Sequence, residues 1–274
     1  MVPTVLTQYV TRGRKSISGW LARLDAEIMA SILTAQNEKS LKGSVAEIGV
    51  HHGKVFTLLC LGLKDDERAY CIDIFDDQHL NKDNSGRGNR AVLEMNLAKF
   101  GVSSERFFID SRSSELVKAE DILSQVGPVR LFSVDGGHWL DIVVNDLRIA
   151  EATLAPHGVV VLDDFHRHDW PDVSAGYFRW FSERRSAIVP FAIGLNKLYL
   201  CHSEFVDFYK ETLRSGPVMR HLGAKQCEFQ GFAVPVYESR LLPEDTFKDR
   251  CKAYLRIVHP EKVASAKKLF KIFR

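Results

Sequence analysis

Short apolar runs alternate with amphipathic segments between residues 44 and 163 of the chain. Five of the runs have the length and the Val, Ile, Leu and Phe content of buried strands. These predicted strands cover residues 44–50, 69–75, 106–110, 129–135 and 159–163. The segments between them have helical spacing, and apolar strands that alternate with helices are typical of a parallel sheet covered on both faces.

The segments on either side of this alternation extend the predicted fold. Residues 16–37 have apolar positions at helical spacing and predict a helix that caps the domain. Residues 188–194 and 197–202 predict an antiparallel β-hairpin that closes the sheet. The sequence therefore predicts an α/β fold with a mostly parallel, seven-stranded sheet and helices on both faces. We expect an N-terminal helical cap (1–40), a core (41–203) and a C-terminal helical extension of the same domain (204–274).

The composition narrows the class of protein. Hydrophobic residues make up 45% of the 274 residues, which is enough for a sizeable core. The net charge of +2 is far from the basic field that nucleic-acid binding needs, so we expect no nucleic-acid partner. The five cysteines, an odd number without C-x-x-C spacing, argue against a disulfide scaffold. Because we find neither a membrane-spanning stretch nor a signal peptide, we expect a cytoplasmic protein.

Glycines follow the first predicted strand, where an open parallel sheet binds its ligands. The segment contains Glu47, Gly49 and Gly53, with the two glycines in G-x-x-x-G spacing. Glycines at this point allow a tight turn and let a ligand approach the backbone. The segment lacks the G-x-G-x-x-G fingerprint, which disfavours a dehydrogenase that binds a dinucleotide. A loop of this kind is a weak signal by itself, since many strand-to-helix turns use glycines.

Polar residues also end the second and third predicted strands. Asp73 is an acid at the position where such folds hold ribose hydroxyls, although a strand-end Asp can also simply face solvent. Asp110 and Ser111 follow the third strand and suit the edge of an adenine ring. Three polar strand ends in succession indicate a site for a nucleoside.

Residues 45–165 resemble the class I S-adenosylmethionine-dependent methyltransferases, through the acidic-then-glycine first motif and the acid that follows the second strand. The resemblance implies a Rossmann-like fold and S-adenosylmethionine as the cofactor. The cofactor-binding residues that it implies are Glu47, Gly49, Gly53, Asp73, Asp110, Ser111 and Asp135.

Three carboxylates end the fourth and fifth predicted strands, at Asp135 and at Asp163-Asp164. Close carboxylates repel one another, and a divalent cation that prefers oxygen ligands, such as Mg²⁺, would neutralise them. A bound cation lowers the pKa of an acceptor hydroxyl, and a neutral His138 nearby could remove its proton. The alternatives are a hydrogen-bonded turn at Asp163-Asp164 and a structural role for His138.

The pattern D-G-x-H, followed after the next strand by D/E-D, resembles the metal-dependent O-methyltransferases of the macrocin and mycinamicin type, which modify macrolide sugars. Catechol-type enzymes usually carry D-N at the second position. The resemblance implies Asp135, Asp163 and Asp164 as metal ligands, with Mg²⁺ as the expected ion. It also implies His138 as the catalytic base and a small-molecule acceptor with a hydroxyl group, such as a sugar.

Two other functions remain open from the sequence. Asp163, His166 and His168 could hold non-haem iron, as in hydroxylases of the cephalosporin-hydroxylase type. The chain could instead be a non-catalytic binding module, with the basic residues 262–274 as an interaction or membrane-surface helix. Trp170, after the fifth strand, suits either stacking on a sugar ring or packing. The N-terminal helix and the C-terminal extension are typical places for dimer contacts, so a homo-oligomer is a further expectation.

Overall fold

A central sheet organises the molecule, whose computed structural model describes residues 4–82, 84–216, 219 and 224–237. Nine strands belong to this sheet within the described residues. In chain order they are β1 (Ser44–Ile48), β2 (Ala69–Ile72), β3 (Phe107–Asp110), β4 (Val129–Val134), β5 (Leu154–Leu162), β6 (Ile188–Ile193), β7 (Leu198–His202), β8 (Ala224–Phe229) and β9 (Phe232–Tyr237).

The strands lie side by side in the order β3-β2-β1-β4-β5-β7-β6-β9-β8. The first five are parallel, β7 pairs with β5 and β6 in antiparallel fashion, and β8 and β9 form a second hairpin that joins β6 through β9. From β1 the chain adds β2 and β3 on one side and then returns to add β4 and β5 on the other side, so the strand order reverses between β1 and β4. Ligands of open α/β sheets bind at such a switch point, beyond the carboxyl ends of the strands.

Eight α-helices of the described residues cover this sheet. They are α1 (Val5–Thr11), α2 (Arg23–Glu38), α3 (Lys54–Leu61), α4 (Arg90–Lys99), α5 (Ala119–Val126), α6 (Leu140–Thr153), α7 (Pro171–Glu183) and α8 (Val206–Ser215). One core contains α1, α2, α3, α4 and α8 on one face, and a second core contains α5, α6 and α7 on the other.

Neighbouring residues of each central strand enter opposite cores. Val45 and Leu131 pack into the first core, whereas Ala46 and Phe132 pack into the second. Because successive side chains of a strand point to opposite faces, a strand that is covered on both faces must be apolar throughout. This packing explains the uninterrupted apolar runs and confirms the predicted fold class.

The strand count is nine rather than seven, because the described part of the predicted helical extension contains α8 and then the hairpin of β8 and β9. Gln230 and Gly231 join these two strands, and both have a positive φ, of 54° and 79°. Two such residues form the tight turn whose twist matches that of a hairpin. The alternating pattern around Gln230-Gly231 was the signal that the helix prediction overlooked.

The predicted N-terminal helix begins later than its apolar spacing suggested. Helix α2 starts at Arg23, and residues 17–22 belong to no helix or strand, with Gly19 at a φ of 122°. A backbone in that region does not continue a helix, so the segment leads Trp20 and Leu21 towards the carboxyl ends of the strands. The predicted helix therefore divides into a helix and a segment that reaches the candidate site.

Two further properties follow from the described residues. None of their helices is long and apolar enough to cross a membrane. Their cysteines, at positions 60, 71, 201 and 227, are free thiols. The basic C-terminal stretch 262–274 and Cys251 lie outside the described residues.

Candidate active site

A cavity of about 420 Å³ opens at the carboxyl ends of the parallel strands. Backbone hydrogen bonds of 2.9 Å join the strand ends into one row, from Gly49 N to Ile72 O, from Asp135 N to Ile48 O and from Asp163 N to Val134 O. The same edge of the sheet therefore carries the segments after β1, β2, β4 and β5, as the sequence predicted. The turn between β6 and β7 and the segment before α2 complete the walls.

Gly49 and Gly53 shape the loop that follows β1. Both have a φ of 82°, in the left-handed region that favours glycine. A Cβ at Gly49 would overlap the backbone oxygen of Asp135, and a Cβ at Gly53 would overlap the side chain of Leu93. Gly49 therefore lets the loops after β1 and β4 touch at the switch point, and it lines the cavity.

Glu47 lies below this loop and is buried. Its Oε1 accepts a hydrogen bond from Ser133 at 3.4 Å, while its Oε2 has no hydrogen-bond partner among the described residues. Burial raises the pKa of Glu47 well above its ordinary value. The cavity lining includes the next two residues, Ile48 and Gly49, but not Glu47 itself.

Asp73 lines the cavity at the end of β2. Its carboxylate accepts hydrogen bonds from the backbone N–H of His51 at 2.7 Å and of Phe75 at 2.6 Å. These bonds fix the carboxylate against the loop that follows β1. Gly88, in the loop between β2 and α4, lies close to it, since a Cβ there would be 2.7 Å from Asp73 Oδ1. The Asp73 carboxylate therefore has a fixed position at the end of β2, where the sequence predicted a ribose-binding acid.

Asp110 and Ser111 lie outside this cavity, in a separate cleft at the edge of the sheet. The Asp110 carboxylate accepts hydrogen bonds from Tyr70 Oη at 2.7 Å and from Arg112 Nη2 at 2.6 Å. Burial opposes its ionisation, but the bonds from Arg112 and Tyr70 hold its pKa below the ordinary value. The residues that follow, at positions 112–115, line the cavity instead.

Asp135, His138 and Asp164 form a cluster at the ends of β4 and β5. One potential ligand atom from each lies within 4.8 Å of the others, and no other such cluster of acids, histidines and cysteines occurs in the part of the chain that the structure describes. His138 Nε2 is 3.0 Å from Asp164 Oδ2, and Trp170 stacks on the imidazole with ring centroids 4.2 Å apart. The predicted base thus has a fixed orientation.

The electrostatic surroundings of the two carboxylates differ. Burial, followed by the charge of Asp163, raises the pKa of Asp135 well above its ordinary value. Burial also opposes ionisation of Asp164, but the hydrogen bond with His138 and the charge of Arg167 hold its pKa below the ordinary value. A cation between the two would therefore favour ionisation of Asp135 most.

Asp163 has a different environment from the one predicted for a metal ligand. Its carboxylate forms an ion pair with Lys197 and accepts hydrogen bonds from Asn196 Nδ2 at 2.8 Å and from the backbone N–H of Asp164 at 2.7 Å. Lys197 is 1% exposed, and Asn196 also donates to Asp164 Oδ1 at 3.1 Å. The structure brings Asp135, His138 and Asp164 together and places Asp163 beside a lysine.

Asn196 and Lys197 are the residues that the sequence reasoning missed. The register Leu162–Leu198 of the antiparallel pair β5 and β7 puts the start of β7 opposite the end of β5. Lys197 therefore lies next to Asp163. The available signal was a polar Asn-Lys pair at the tip of a hairpin whose strands are apolar.

The histidines proposed for an iron site do not approach Asp163. His166 and His168 are exposed and do not line the cavity. The His166 ring packs on Phe165, with centroids 3.9 Å apart, and its backbone N–H donates to Ser174 Oγ at 3.0 Å. The arrangement of two histidines and one carboxylate is therefore absent from these described residues.

Comparisons with known proteins agree with this fold. A family model described as a methyltransferase domain matches residues 46–165. The O-methyltransferase NovP is similar in structure, with a TM-score of 0.55, 13% identity and coverage of 64% of this chain and 78% of that chain. An O-methyltransferase from Bacillus cereus in complex with SAH has a TM-score of 0.50 and 12% identity, over 73% of this chain and 91% of that chain. No curated protein matches the sequence at a significant level.

The matched range contains the glycine loop, Asp73 and the ends of β4 and β5, and most of the residues that line the cavity lie within it. Residues 46–165 are therefore similar to a methyltransferase domain and carry a Rossmann-like α/β fold.

Proposed function

We propose that this enzyme transfers the methyl group of S-adenosylmethionine to a hydroxyl group of a small molecule, with a sugar as the first candidate. The observation that carries the proposal is the pair of His138 and Asp164, which lines the same cavity as Asp73 and Gly49 of the glycine loop. A base held against a carboxylate suits an acceptor that must lose a proton. NovP and the Bacillus cereus protein are both described as O-methyltransferases, which is the same type of reaction.

The methyl donor would lie along the ends of β1 and β2. Asp73, already held by two backbone N–H groups, would accept hydrogen bonds from the ribose hydroxyls. Gly49 would let the donor lie against the backbone, and Gly53 and the buried Glu47 would support the loop. Residues 112–115, which follow Asp110 and Ser111, offer the wall that an adenine ring would contact.

The cluster of Asp135, His138 and Asp164 fits a divalent cation. Two carboxylates supply the oxygen ligands that hard cations prefer, and their spacing allows one ion to contact both. A bound cation would lower the pKa of the acceptor hydroxyl and orient its oxygen, which is the assistance that a sugar with neighbouring oxygens would use.

His138 would take the proton of the acceptor. Its Nε2 is held by Asp164, and its Nδ1 lies 3.5 Å from Ser85 Oγ. As the acceptor oxygen forms its bond to the methyl carbon, the bond from that carbon to the donor sulfur breaks and the hydroxyl proton moves to the imidazole. The Asp164 carboxylate stabilises the imidazolium that results.

Calorimetric titration of S-adenosylmethionine, first with EDTA and then with Mg²⁺, tests the donor site. We expect micromolar binding in both conditions, and an Asp73→Asn variant that binds much more weakly. Glycosides and polyphenols would then be screened for methylation with and without the metal. An absence of donor binding in both conditions would overturn the proposal, and methylation at an unchanged rate in EDTA would remove its metal step.

A further inference from the structure

Lys197 is a buried cation beside the carboxylates of the candidate metal site. It is 1% exposed, lines the cavity and forms an ion pair with Asp163. Burial disfavours its charge, but Asp163, Asp135 and Asp25 more than compensate and raise its pKa above the ordinary value. A lysine is almost never fully buried unless its charge is paired, so this charge is part of the site.

The turn that carries Lys197 is tied to helix α2. Asp25 of that helix accepts hydrogen bonds from Tyr199 Oη at 2.8 Å and from the backbone N–H of Leu195 at 3.3 Å. Gly194 lies so close to Asp25 that a Cβ would overlap its Oδ1. These contacts with α2 fix the position of the turn, and the ammonium group of Lys197 is therefore held against Asp163.

Asp163 has little capacity left for a metal ion. Lys197 pairs with its Oδ2, while Asn196 and the backbone N–H of Asp164 donate to its Oδ1. Asp164 also has partners, Arg167 and Asn196 at Oδ1 and His138 at Oδ2. Unlike Asp163, however, it belongs with Asp135 and His138 to the cluster whose potential ligand atoms lie within 4.8 Å of one another. The carboxylates that follow β4 and β5 thus divide into two that can reach one ion and one that faces a lysine.

We propose that Lys197 is a built-in cation that removes Asp163 from the metal-binding set, so that the ion is held by the carboxylates of Asp135 and Asp164, beside His138. The inference rests on the proposed metal step and refines it. The ammonium group balances the charge of Asp163 without taking a ligand position. It also reduces the negative charge that attracts a divalent ion, and so it weakens ion binding.

Variants that change the charge of the Asp163–Lys197 pair distinguish the two possible roles of Asp163, as a metal ligand or as the partner of the lysine. Lys197→Met keeps much of the side-chain volume but frees the Asp163 carboxylate, so the site gains one negative charge. The double variant Asp163→Asn with Lys197→Met removes both charges and leaves the net charge of the site unchanged. It also avoids a buried carboxylate left without its partner, which would destabilise the fold.

Mn²⁺ is a suitable probe because it binds oxygen ligands and its free form is measured by electron paramagnetic resonance. We expect Lys197→Met to bind Mn²⁺ about tenfold more tightly than the unmodified enzyme, since ligand charge sets the affinity of such sites. The double variant should bind within about threefold of the unmodified enzyme. Asp135→Asn, as the control for a true ligand, should bind at least about tenfold more weakly.

The outcomes decide the proposal. A double variant that loses Mn²⁺ as strongly as Asp135→Asn would show that Asp163 is a ligand. A Lys197→Met variant without tighter binding would remove the role of the lysine, and Mn²⁺ binding by none of the proteins would overturn the ligand set. Binding by Lys197→Met alone would also overturn the ligand set, because the ion would then need the freed Asp163 carboxylate. Titration of S-adenosylmethionine into the same samples reports separately on folding and on the methyltransferase function.

Discussion

His138 is the residue on which the proposed proton transfer depends. The Nε2 of His138 is hydrogen-bonded to Asp164, and the ring of Trp170 lies nearly parallel to the imidazole, at an interplanar angle of 13°. Contacts on the nitrogen and on the ring face leave the imidazole little rotational freedom. A base that is fixed before the acceptor binds needs no reorganisation during the reaction.

Replacement of His138 by Gln should lower the methylation rate by about 100-fold or more, because a positioned general base contributes about 10²–10⁴. Affinity for S-adenosylmethionine should stay within about twofold, because the donor is proposed to lie along β1 and β2. The measurement is the rate of S-adenosylhomocysteine formation with an acceptor from the screen. His166→Gln, in an exposed ring outside the cavity, is the matched control. An equal loss in both variants would contradict the assignment.

Asp146 is a buried acid outside the proposed mechanism. Burial raises its pKa from 3.8 to about 7, and its Oδ2 has no hydrogen-bond partner among the described residues. The unfolded chain therefore loses this proton at a lower pH than the folded chain does. Between pH 4 and 7 the folded state binds more protons, so its stability falls as the pH rises and becomes constant above about pH 7.

An Asp146→Asn variant should lack this part of the pH dependence, because the amide does not titrate. The measured quantity is the free energy of unfolding of the variant minus that of the unmodified protein. This difference should increase by about 2–4 kcal/mol as the pH rises from 4 to 8. Urea unfolding at both pH values measures the difference. Parallel curves for the two proteins would show that Asp146 is already ionised in the folded state at low pH.

The turn between β6 and β7 is the element that links the N-terminal helix to the site. Its tip supplies Asn196 and Lys197 to the acids after β5, and Asp25 of α2 holds it from the other side. An antiparallel strand can deliver side chains to this edge because β7 starts where β5 ends. Helix α2 is therefore more than a cap, since it positions part of the site.

Gly194→Ala should lower the free energy of unfolding by about 1–3 kcal/mol, because the added methyl group overlaps Asp25 and the packed turn cannot move aside easily. Mn²⁺ binding should change as well, since Lys197 shifts with the turn. Leu195→Ala, at an exposed position of the same turn, should leave both properties nearly unchanged. Thermal unfolding and Mn²⁺ titration measure the two effects. A stable Gly194→Ala protein with unaltered Mn²⁺ binding would show that the turn adapts.

The candidate site and a buried stabilising network lie at opposite ends of the strands. The carboxyl ends of the strands carry the cavity, whereas the opposite end carries a buried network around Arg130 at the start of β4. Arg130 is fully buried, pairs with Glu67 at 2.8 Å and donates to Gln36 Oε1 at 2.7 Å. This network ties α2, β4 and the loop before β2 together, far from the proposed chemistry.

Arg130→Met should lower the free energy of unfolding by about 3–5 kcal/mol, because it leaves the Glu67 charge buried without its partner. Lys42→Met removes an exposed ion pair with Asp66 and should leave the free energy of unfolding nearly unchanged. Denaturant unfolding compares the two. Folded Arg130→Met protein should keep its affinity for S-adenosylmethionine, and a loss of that affinity at low temperature would contradict the division between the two ends.

Much of this organisation was already evident along the chain. Apolar runs such as 159–163 reveal buried parallel strands, because a strand covered on both faces has no polar side, and Gly49 and Asp73 follow directly from the strand ends. The hydrophobic pattern was less decisive where a segment was compatible with a helix and also with another structure. Residues 17–22 have helical spacing, but Gly19 adopts a positive φ and α2 begins only at Arg23. The predicted helical extension contains the strands around Gln230-Gly231.

The sequence by itself determined the parallel sheet, the edge of the sheet that carries the site and the acids that lie there, because side-chain period and strand direction are local properties. Only the tertiary structure decided which charges face one another. Lys197 meets Asp163 through the register of β5 and β7, and Asp110 turns to Tyr70 and Arg112 instead of the cavity. Such contacts join residues that are 34 or 40 positions apart, and no periodicity along the chain records the pairing of strands that creates them.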